Sequence, residues 1–110
     1  MQRGEIWWAS MLEPRGAEPG YHRPVVIVSS NAFNKSFIQT VVVAIITSNL
    51  RLADAPGNFK ITHTGLSQKS VVNISQIITL DKSFLTEKIG KLTQKQMVLL
   101  NDGIKLVFDI

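Results

Sequence analysis

The sequence contains no cysteine and only two histidines, His22 and His63, among its 110 residues. The lack of cysteine excludes disulfides and thiolate metal sites, and two histidines argue against a histidine-rich zinc site. We therefore expect any catalysis by this chain to be independent of metal ions, and we expect no cofactor.

Long hydrophobic runs are also missing. The longest run, residues 41–46, is far shorter than the roughly 20 apolar residues that a helix needs to cross a bilayer. The N-terminal stretch MQRGEIWW carries charges at Arg3 and Glu5 and lacks the apolar core of a signal peptide. These absences predict a cytoplasmic protein without a membrane segment.

The composition is typical of a globular protein, with 45% hydrophobic and 18% charged residues. The chain is long enough for one hydrophobic core but short for two, so we predict one domain over residues 1–110. Twelve Lys and Arg against eight Asp and Glu give a net charge of +4, and the pI is about 9.7. This balance favours a polyanionic partner.

Short β-strands dominate the predicted secondary structure. SNAFNKS, residues 30–36, is expected to be a turn or a single helical turn, and one short helical turn is expected after the capping residue Asp81. The second and third strands are rich in β-branched residues and are expected to pair at the centre of a sheet. Such a series of short strands suggests a small, strongly curved β-barrel. The predicted strands cover residues 5–9, 25–29, 37–47, 58–62, 71–73, 76–80 and 88–92.

The C-terminal segment predicts an amphipathic helix that begins at a capping box formed by Thr93 and Gln96. Gly103 weakens the middle of this helix. Apolar residues at helical spacing form a face for the core or for a subunit contact, and further apolar residues widen it towards a second buried surface. The first group is Met97, Leu100, Ile104, Val107 and Phe108; the second is Val98, Leu99 and Leu106.

Two adjacent tryptophans, Trp7 and Trp8, fall on the first strand and must point to opposite faces. One ring can enter the core while the other covers a surface or a subunit contact, or both can be buried.

A long loop precedes the second strand and ends in Arg23 and Pro24. Loops of this length in a compact domain are usually functional or disordered, and this one combines charged with aromatic residues. An arginine guanidinium offers five donors in a flat fork that suits phosphate oxygens, and Pro24 restricts the backbone that carries it. Arg23 therefore marks a candidate anion site, although an arginine before a strand is ordinarily a solvated residue.

Thr47 ends the third strand and is followed by Ser48 and Asn49. Its hydroxyl is expected where a buried strand meets a polar loop, a common location for site residues. Threonine is also a favoured strand residue, so a purely structural role is the simpler alternative.

Four motifs occur in order along the chain: an N-terminal RGEIW strand, a G-x-E-x-G-x-x-R-P loop, a strand ending in Thr, and a Q-I-x-T-x-D segment. With them the chain resembles, over nearly its whole length, the MazF/PemK family of type II toxin–antitoxin endoribonucleases, also called mRNA interferases. The resemblance implies an SH3-like β-barrel with a C-terminal helix and a homodimer. It also implies sequence-specific, metal-independent cleavage of single-stranded RNA, and a cognate antitoxin that occupies the RNA site.

The resemblance also implies roles for individual residues. Arg23 and Thr47 match the family's catalytic arginine and threonine, while Glu18 matches an acidic loop position and His22 the residue before the arginine. We assign RNA contacts to Arg15, Tyr21, Lys69 and Gln76. Ala17 and Ile78 depart from the family pattern, which often has serine and a basic residue there, so local RNA contacts and specificity are expected to differ.

Cleavage of RNA by its own 2′-hydroxyl needs a base, stabilisation of the phosphorane charge and a proton for the leaving 5′-oxygen. Arg23 suits the second task and could double as the acid, and Thr47 could hold the phosphate by a hydrogen bond. Glu18 and His22 both remain candidates for the base.

Two other functions fit parts of the sequence. A CcdB-like inhibitor of a protein such as DNA gyrase shares this general fold, but it would not need both Arg23 and Thr47. A non-catalytic RNA-binding module would need only the basic charge.

Overall fold

A computed structural model describes residues 1–10, 22–62 and 64–110. The strands are β1 (Glu5–Ser10), β2 (His22–Ile27), β3 (Thr40–Thr47), β4 (Phe59–Ile61), β5 (Ser70–Asp81) and β6 (Leu85–Lys91). The α-helices are α1 (Asn31–Lys35) and α2 (Gln94–Phe108), and two short 3-10 helices cover Leu50–Asp54 and Lys82–Phe84. No helix in this part of the chain is long and apolar enough to span a membrane.

The described strands form one antiparallel sheet in the order β4-β5-β3-β2-β1-β6. Its two central strands, β2 and β3, pair as predicted from their β-branched sequences. Their residues alternate between the two faces, so Val26 and Ala44 enter one core while Val25 and Val43 enter another. The predicted mainly β fold with a C-terminal helix is confirmed.

The sheet curls so far that the loop after β4 packs against β6 at the opposite edge. Gly65, in the loop after β4, lies so close to β6 that a Cβ atom there would stand 2.7 Å from the Ile89 carbonyl oxygen. Gly90 in turn lies against the carbonyl oxygen of Thr64, which is buried. The absence of side chains at these two glycines lets the backbones approach, and this contact joins the two sides of the curled sheet.

Several predicted boundaries were wrong. β2 begins at His22 instead of residue 25, because β1 extends to Ser10 and pairs with His22 and Arg23. β3 begins at Thr40 instead of residue 37, since the Ser36 hydroxyl accepts the Ile38 N–H and turns the chain after α1. β6 begins at Leu85 instead of residue 88, directly after the 3-10 helix that Asp81 caps as predicted.

The two short strands predicted at residues 71–73 and 76–80 are one strand, β5. Its register with β3 jumps between Ala44↔Ile77 and Ile45↔Asn73, so residues 74–76 form a bulge. The sequence break predicted there corresponds to this bulge, which leaves the strand continuous.

The helix α2 has the predicted capping box, in which Thr93 and Gln96 exchange hydrogen bonds. Leu100 is fully buried on the sheet, with Met97 and Ile104 packed beside it. Gly103 is also buried, against the backbone of Gly57, where a Cβ would overlap the Gly57 carbonyl oxygen. The glycine that weakens the helix is therefore what lets it dock.

The rest of the apolar stripe on α2 is exposed. Val107 and Phe108, predicted to lie on the packed face, are 40% and 51% exposed, and Val98, Leu99 and Leu106 are 55%, 46% and 63% exposed. The core alternative is therefore wrong for Val107 and Phe108, and the second buried surface that includes Val98, Leu99 and Leu106 stays a prediction. Trp7 and Trp8 are both half-buried, with Trp7 packed beside the core on one face of β1.

Glu5 fixes the start of β1 to β6. Its carboxylate accepts hydrogen bonds from the Gln2 N–H (3.0 Å) and the Trp7 indole N–H (3.1 Å), and it forms a 2.9 Å ion pair with Lys88. Burial alone would raise the pKa of this carboxyl, but these bonds outweigh burial and lower the pKa to about 2 from the usual 4.5.

A carboxyl whose pKa is lower in the folded state stabilises the fold above its unfolded pKa, and the contribution is lost as pH falls towards its folded pKa. Glu5→Gln should therefore lower the free energy of unfolding at pH 7 by about 1–3 kcal/mol. The gap to the parental protein should narrow between pH 4.5 and about 2. Urea unfolding at pH 7 and pH 3 measures this, and Glu87→Gln, at an exposed β6 position, is the charge-matched control.

Candidate functional site

A cleft of about 470 Å³ opens where β2 begins and β3 ends. It collects residues from four separate parts of the chain: β1, the start of β2, the end of β3 with the residues after it, and the loop before β5. The lining residues are Trp8, His22, Arg23, Pro24, Ile46, Thr47, Ser48, Asn49, Leu66, Ser67, Gln68 and Ser70.

The pairing of β2 with β3 brings Arg23 and Thr47 together. The register aligns Ile27 with Val43 and Val25 with Ile45. Two more steps along the same register would set Arg23 opposite Thr47, and directly opposed residues share one face of a sheet. Pro24, which has no N–H to donate, lies where the ladder ends, so the two strands stop pairing at the cleft.

The Thr47 hydroxyl is held by the turn that follows β3. Its oxygen accepts the Asn49 N–H at 3.2 Å, and the Asn49 side chain in turn accepts the Arg51 N–H at 3.2 Å and begins the 3-10 helix. Thr47 is 9% exposed, so its side chain is largely enclosed by protein atoms. Because the oxygen already accepts a backbone donor, the hydroxyl proton is directed elsewhere and can be donated to an anion in the cleft.

Arg23 is half-buried and lines the same cleft. A guanidinium stays charged at any pH relevant to a protein, and it has weaker hydration than an ammonium group. A guanidinium fork and a threonine hydroxyl that line one cleft form a donor set suited to a phosphate or another oxyanion.

Trp8 and His22 form a flat aromatic pair at the cleft. Their ring planes are within 7° of parallel and their centroids are 5.6 Å apart, which is an offset stack. β1 and β2 produce this pair, since Trp8 is aligned with Pro24 and Ser10 with His22. The stack restricts the orientation of the His22 ring, which lines the cleft together with Arg23 and Thr47.

The other predicted residues lie elsewhere. Lys69 is exposed in the loop before β5, between two lining residues but not itself in the lining. Gln76 is exposed on the bulge of β5 and also lies outside the lining, while Ile78 packs beside the core. The predictions for Arg15, Ala17, Glu18 and Tyr21 fall on residues outside the described part of the chain.

Several lining residues were not predicted from the sequence to be site residues. Ser48 and Asn49 had a usable signal, because they follow a buried strand directly. Trp8 was interpreted only as a core or surface residue, and its stack with His22 depends on strand pairing. Ser67 and Gln68 stand in a polar loop with no local feature that marks a site.

No three His, Asp or Glu side chains within residues 1–10, 22–62 and 64–110 gather closely enough to hold a metal ion.

Comparison with known proteins gives a consistent family. The family described as PemK-like, MazF-like toxins of type II toxin–antitoxin systems matches residues 2–108. Endoribonuclease MazF6 of Mycobacterium tuberculosis is 39% identical over 112 residues, which cover 100% of this chain and 98% of that protein.

Solved structures agree with this result. The M. tuberculosis toxin MazF-mt6 superimposes with a TM-score of 0.80 at 26% identity, covering 96% of this chain and 97% of that one. A mycobacterial endoribonuclease in complex with its cognate antitoxin gives a TM-score of 0.76 at 25% identity, covering 96% and 91%.

Proposed function

This chain belongs to the PemK-like, MazF-like toxins of type II toxin–antitoxin systems, and we propose that it is an endoribonuclease that cuts single-stranded RNA at specific sequences without a metal ion. The observation that carries the proposal is the convergence of Arg23 and Thr47 in one cleft. The name of the M. tuberculosis relative, an endoribonuclease at 39% identity over the full length, supports the activity.

The proposed reaction is attack by the RNA 2′-hydroxyl on the adjacent phosphorus. The O2′–P bond forms as the P–O5′ bond breaks, and the products are a 2′,3′-cyclic phosphate and a 5′-hydroxyl end. One proton leaves the 2′-oxygen and one reaches the 5′-oxygen, so the step needs a base and an acid. DNA lacks the attacking hydroxyl, which explains selectivity for RNA.

Arg23 stabilises the negative charge that builds on the non-bridging oxygens. Two parallel N–H···O bonds from its fork strengthen as that charge grows, which favours the transition state over bound RNA. The Thr47 hydroxyl donates a hydrogen bond to the same phosphate, because its oxygen already accepts the Asn49 N–H. Arg23 could also protonate the leaving oxygen.

The base is His22 or Glu18. His22 lines the cleft and is held against Trp8, which suits a group that must meet a bound 2′-hydroxyl. Glu18 lies outside the described residues, and its candidacy depends on the sequence resemblance alone.

Further RNA contacts are proposed for Arg15, Tyr21, Lys69 and Gln76. Their spread along the chain, and the net charge of +4, suit a strand that runs well past the cleft. We propose that residues 1–110 form a single toxin domain. Because its proposed substrate is cellular RNA, we propose that it acts in the cytoplasm.

We propose that the working form is a homodimer with an RNA channel shared by both subunits. The exposed apolar residues of α2 offer a surface that a second copy would cover, and twofold symmetry would join two basic sites into one groove. A cognate antitoxin inhibits by laying an acidic segment in that groove, and the mycobacterial antitoxin complex supports such a partner.

Incubation with a long unstructured RNA in EDTA tests the function. Discrete cuts with 5′-hydroxyl ends are expected. Binding without cleavage would instead indicate an RNA-binding module, and neither binding nor cleavage would favour an inhibitor of a protein target.

Replacement of Arg23 should abolish most of the activity without unfolding the protein. Arg23→Ala is expected to slow cleavage at least about 100-fold, since one preorganised oxyanion donor typically contributes ~10²–10³ in rate. Arg23→Lys should also fail, because a point charge cannot replace the fork. Arg51→Ala, which removes an exposed arginine outside the cleft, is the control, and near-parental turnover by both Arg23 variants would remove Arg23 from the mechanism.

The Thr47 hydroxyl is tested by a pair of variants. Thr47→Val keeps the β-branched shape but loses the donor, so cleavage should fall while stability changes by roughly 1 kcal/mol, because Asn49 is exposed and its N–H can turn to water. Thr47→Ser keeps the hydroxyl and should retain activity. Full activity in Thr47→Val would show that this residue is only a strand former.

The dimer is tested by charge on the exposed face of α2. Leu106, which is 63% exposed, should be covered by the second copy, so Leu106→Lys is expected to give monomers and to reduce cleavage. Gln94→Lys adds the same charge at the start of the helix and should leave the assembly intact. Sedimentation and light scattering at micromolar concentration measure the state, and a parental monomer that cuts RNA at full rate would contradict the shared channel.

A further inference from the structure

Three side-chain amides form a continuous chain of hydrogen bonds at the bulge of β5. Asn58, in the turn before β4, bonds to Asn73, and Asn73 bonds to Gln76. We call these three residues the amide relay. Asn73 is 4% exposed, whereas Gln76 is exposed, so the relay leads from the interior to the surface.

Backbone groups fix which way the first amide faces. The Ile74 N–H donates to Asn58 Oδ1 at 2.8 Å, and a backbone N–H can only donate. Asn58 Nδ2 must then be the donor on the other side, where it reaches the Leu52 carbonyl at 2.9 Å and Asn73 Oδ1 at 3.2 Å. A carbonyl can only accept, so both ends of the Asn58 amide are assigned independently.

The same reasoning assigns the donor and acceptor ends of the Asn73 and Gln76 amides. Asn73 Oδ1 accepts from Asn58 and from the Ser75 hydroxyl at 2.6 Å, so Asn73 Nδ2 is the group that donates to Gln76 Oε1, at 3.0 Å. Gln76 therefore turns its oxygen inward and its NH₂ group outward. Among the described residues no acceptor lies against Gln76 Nε2.

The register of β5 with β3 places the Gln76 backbone a short distance along the sheet from Thr47. Ile77, next to Gln76, pairs with Ala44, and Thr47 lies three residues further along β3. At about 3.3 Å per strand residue this separation is roughly 10 Å, which a single strand spans in a few nucleotides.

We infer that Gln76 is a donor-only reader of one nucleobase, selecting a keto base (uracil or guanine) over an amino base (adenine or cytosine), and that Asn58 and Asn73 are positioning residues that set this polarity. At C4 of a pyrimidine and C6 of a purine, keto bases present a carbonyl oxygen where amino bases present an NH₂ group, so a donor aimed at that position bonds only the keto base. The inference rests on the proposed RNA cleavage, and it assigns a base preference that the cleavage chemistry alone does not require.

A random-sequence RNA pool, cut by the purified protein and sequenced at its new 5′-hydroxyl ends, tests the inference. The parental protein should show one position near the cut at which U and G exceed A and C by about 5- to 10-fold, the effect of one net hydrogen bond. Gln76→Glu is acceptor-only at an exposed site and should reverse this preference towards A and C. Asn73→Asp accepts from Gln76 Nε2, turns the glutamine amide over and should give the same reversal.

Two control variants separate the effect of the donor or acceptor at residue 76 from the effects of added charge and of misfolding. Thr79→Glu, at an exposed position on the same strand, adds the charge of Gln76→Glu and should keep the keto preference. Gln76→Ala should cut RNA with no preference at that position. Because Gln76 is exposed, its variants test the inference even where Asn73→Asp fails to fold.

The results distinguish this inference from the function on which it rests. Cleavage that depends on Arg23 but shows parental base preference in both Gln76→Glu and Gln76→Ala would overturn the donor-only reader and leave the ribonuclease standing. A parental protein that does not cut RNA would overturn both.

Discussion

The antiparallel pairing of β2 with β3 is the constraint on which the cleft depends. It sets the central register of the sheet, divides the apolar residues of both strands between two cores, and directs Arg23 and Thr47 to the same end. A slip of one residue would turn every side chain of β2 to the other face and separate the guanidinium from the hydroxyl. The same alternation that buries Val25 and Val26 on opposite faces therefore positions the site.

The central fold could be predicted from the sequence because its signals are local and strong. Runs of β-branched residues marked β2 and β3, and the Thr93 and Gln96 pair marked the start of α2. Strand boundaries were predicted wrongly where they depend on pairing with a neighbouring strand. His22 and Arg23 resemble loop residues, yet they belong to a strand because β1 is long enough to pair with them. The 3-10 helix at Leu50–Asp54 was not predicted, since it is a single short element that begins after Asn49.

The candidate site divides in the same way. Arg23 and Thr47 were named from sequence, by residue chemistry and family resemblance, and the structure brings both to one cleft. Ser67, Gln68 and Trp8 could not be found, because their place in the cleft depends on how a distant loop and two strands meet. The amide relay was equally hidden: it joins residues 15 positions apart in sequence, and its direction depends on backbone groups of Leu52 and Ile74.

The pairing of β1 with β6 has a consequence for how the protein is made. Glu5 of β1 aligns with Lys91 of β6, and α2 packs on the sheet through Leu100. The first strand can therefore complete its contacts only after these later residues have been synthesised. A nascent chain therefore cannot complete this core before residues 91–100 have been synthesised. For a toxin that cuts RNA, this order of assembly means that translation has passed all six described strands and half of α2 before the folded enzyme can form.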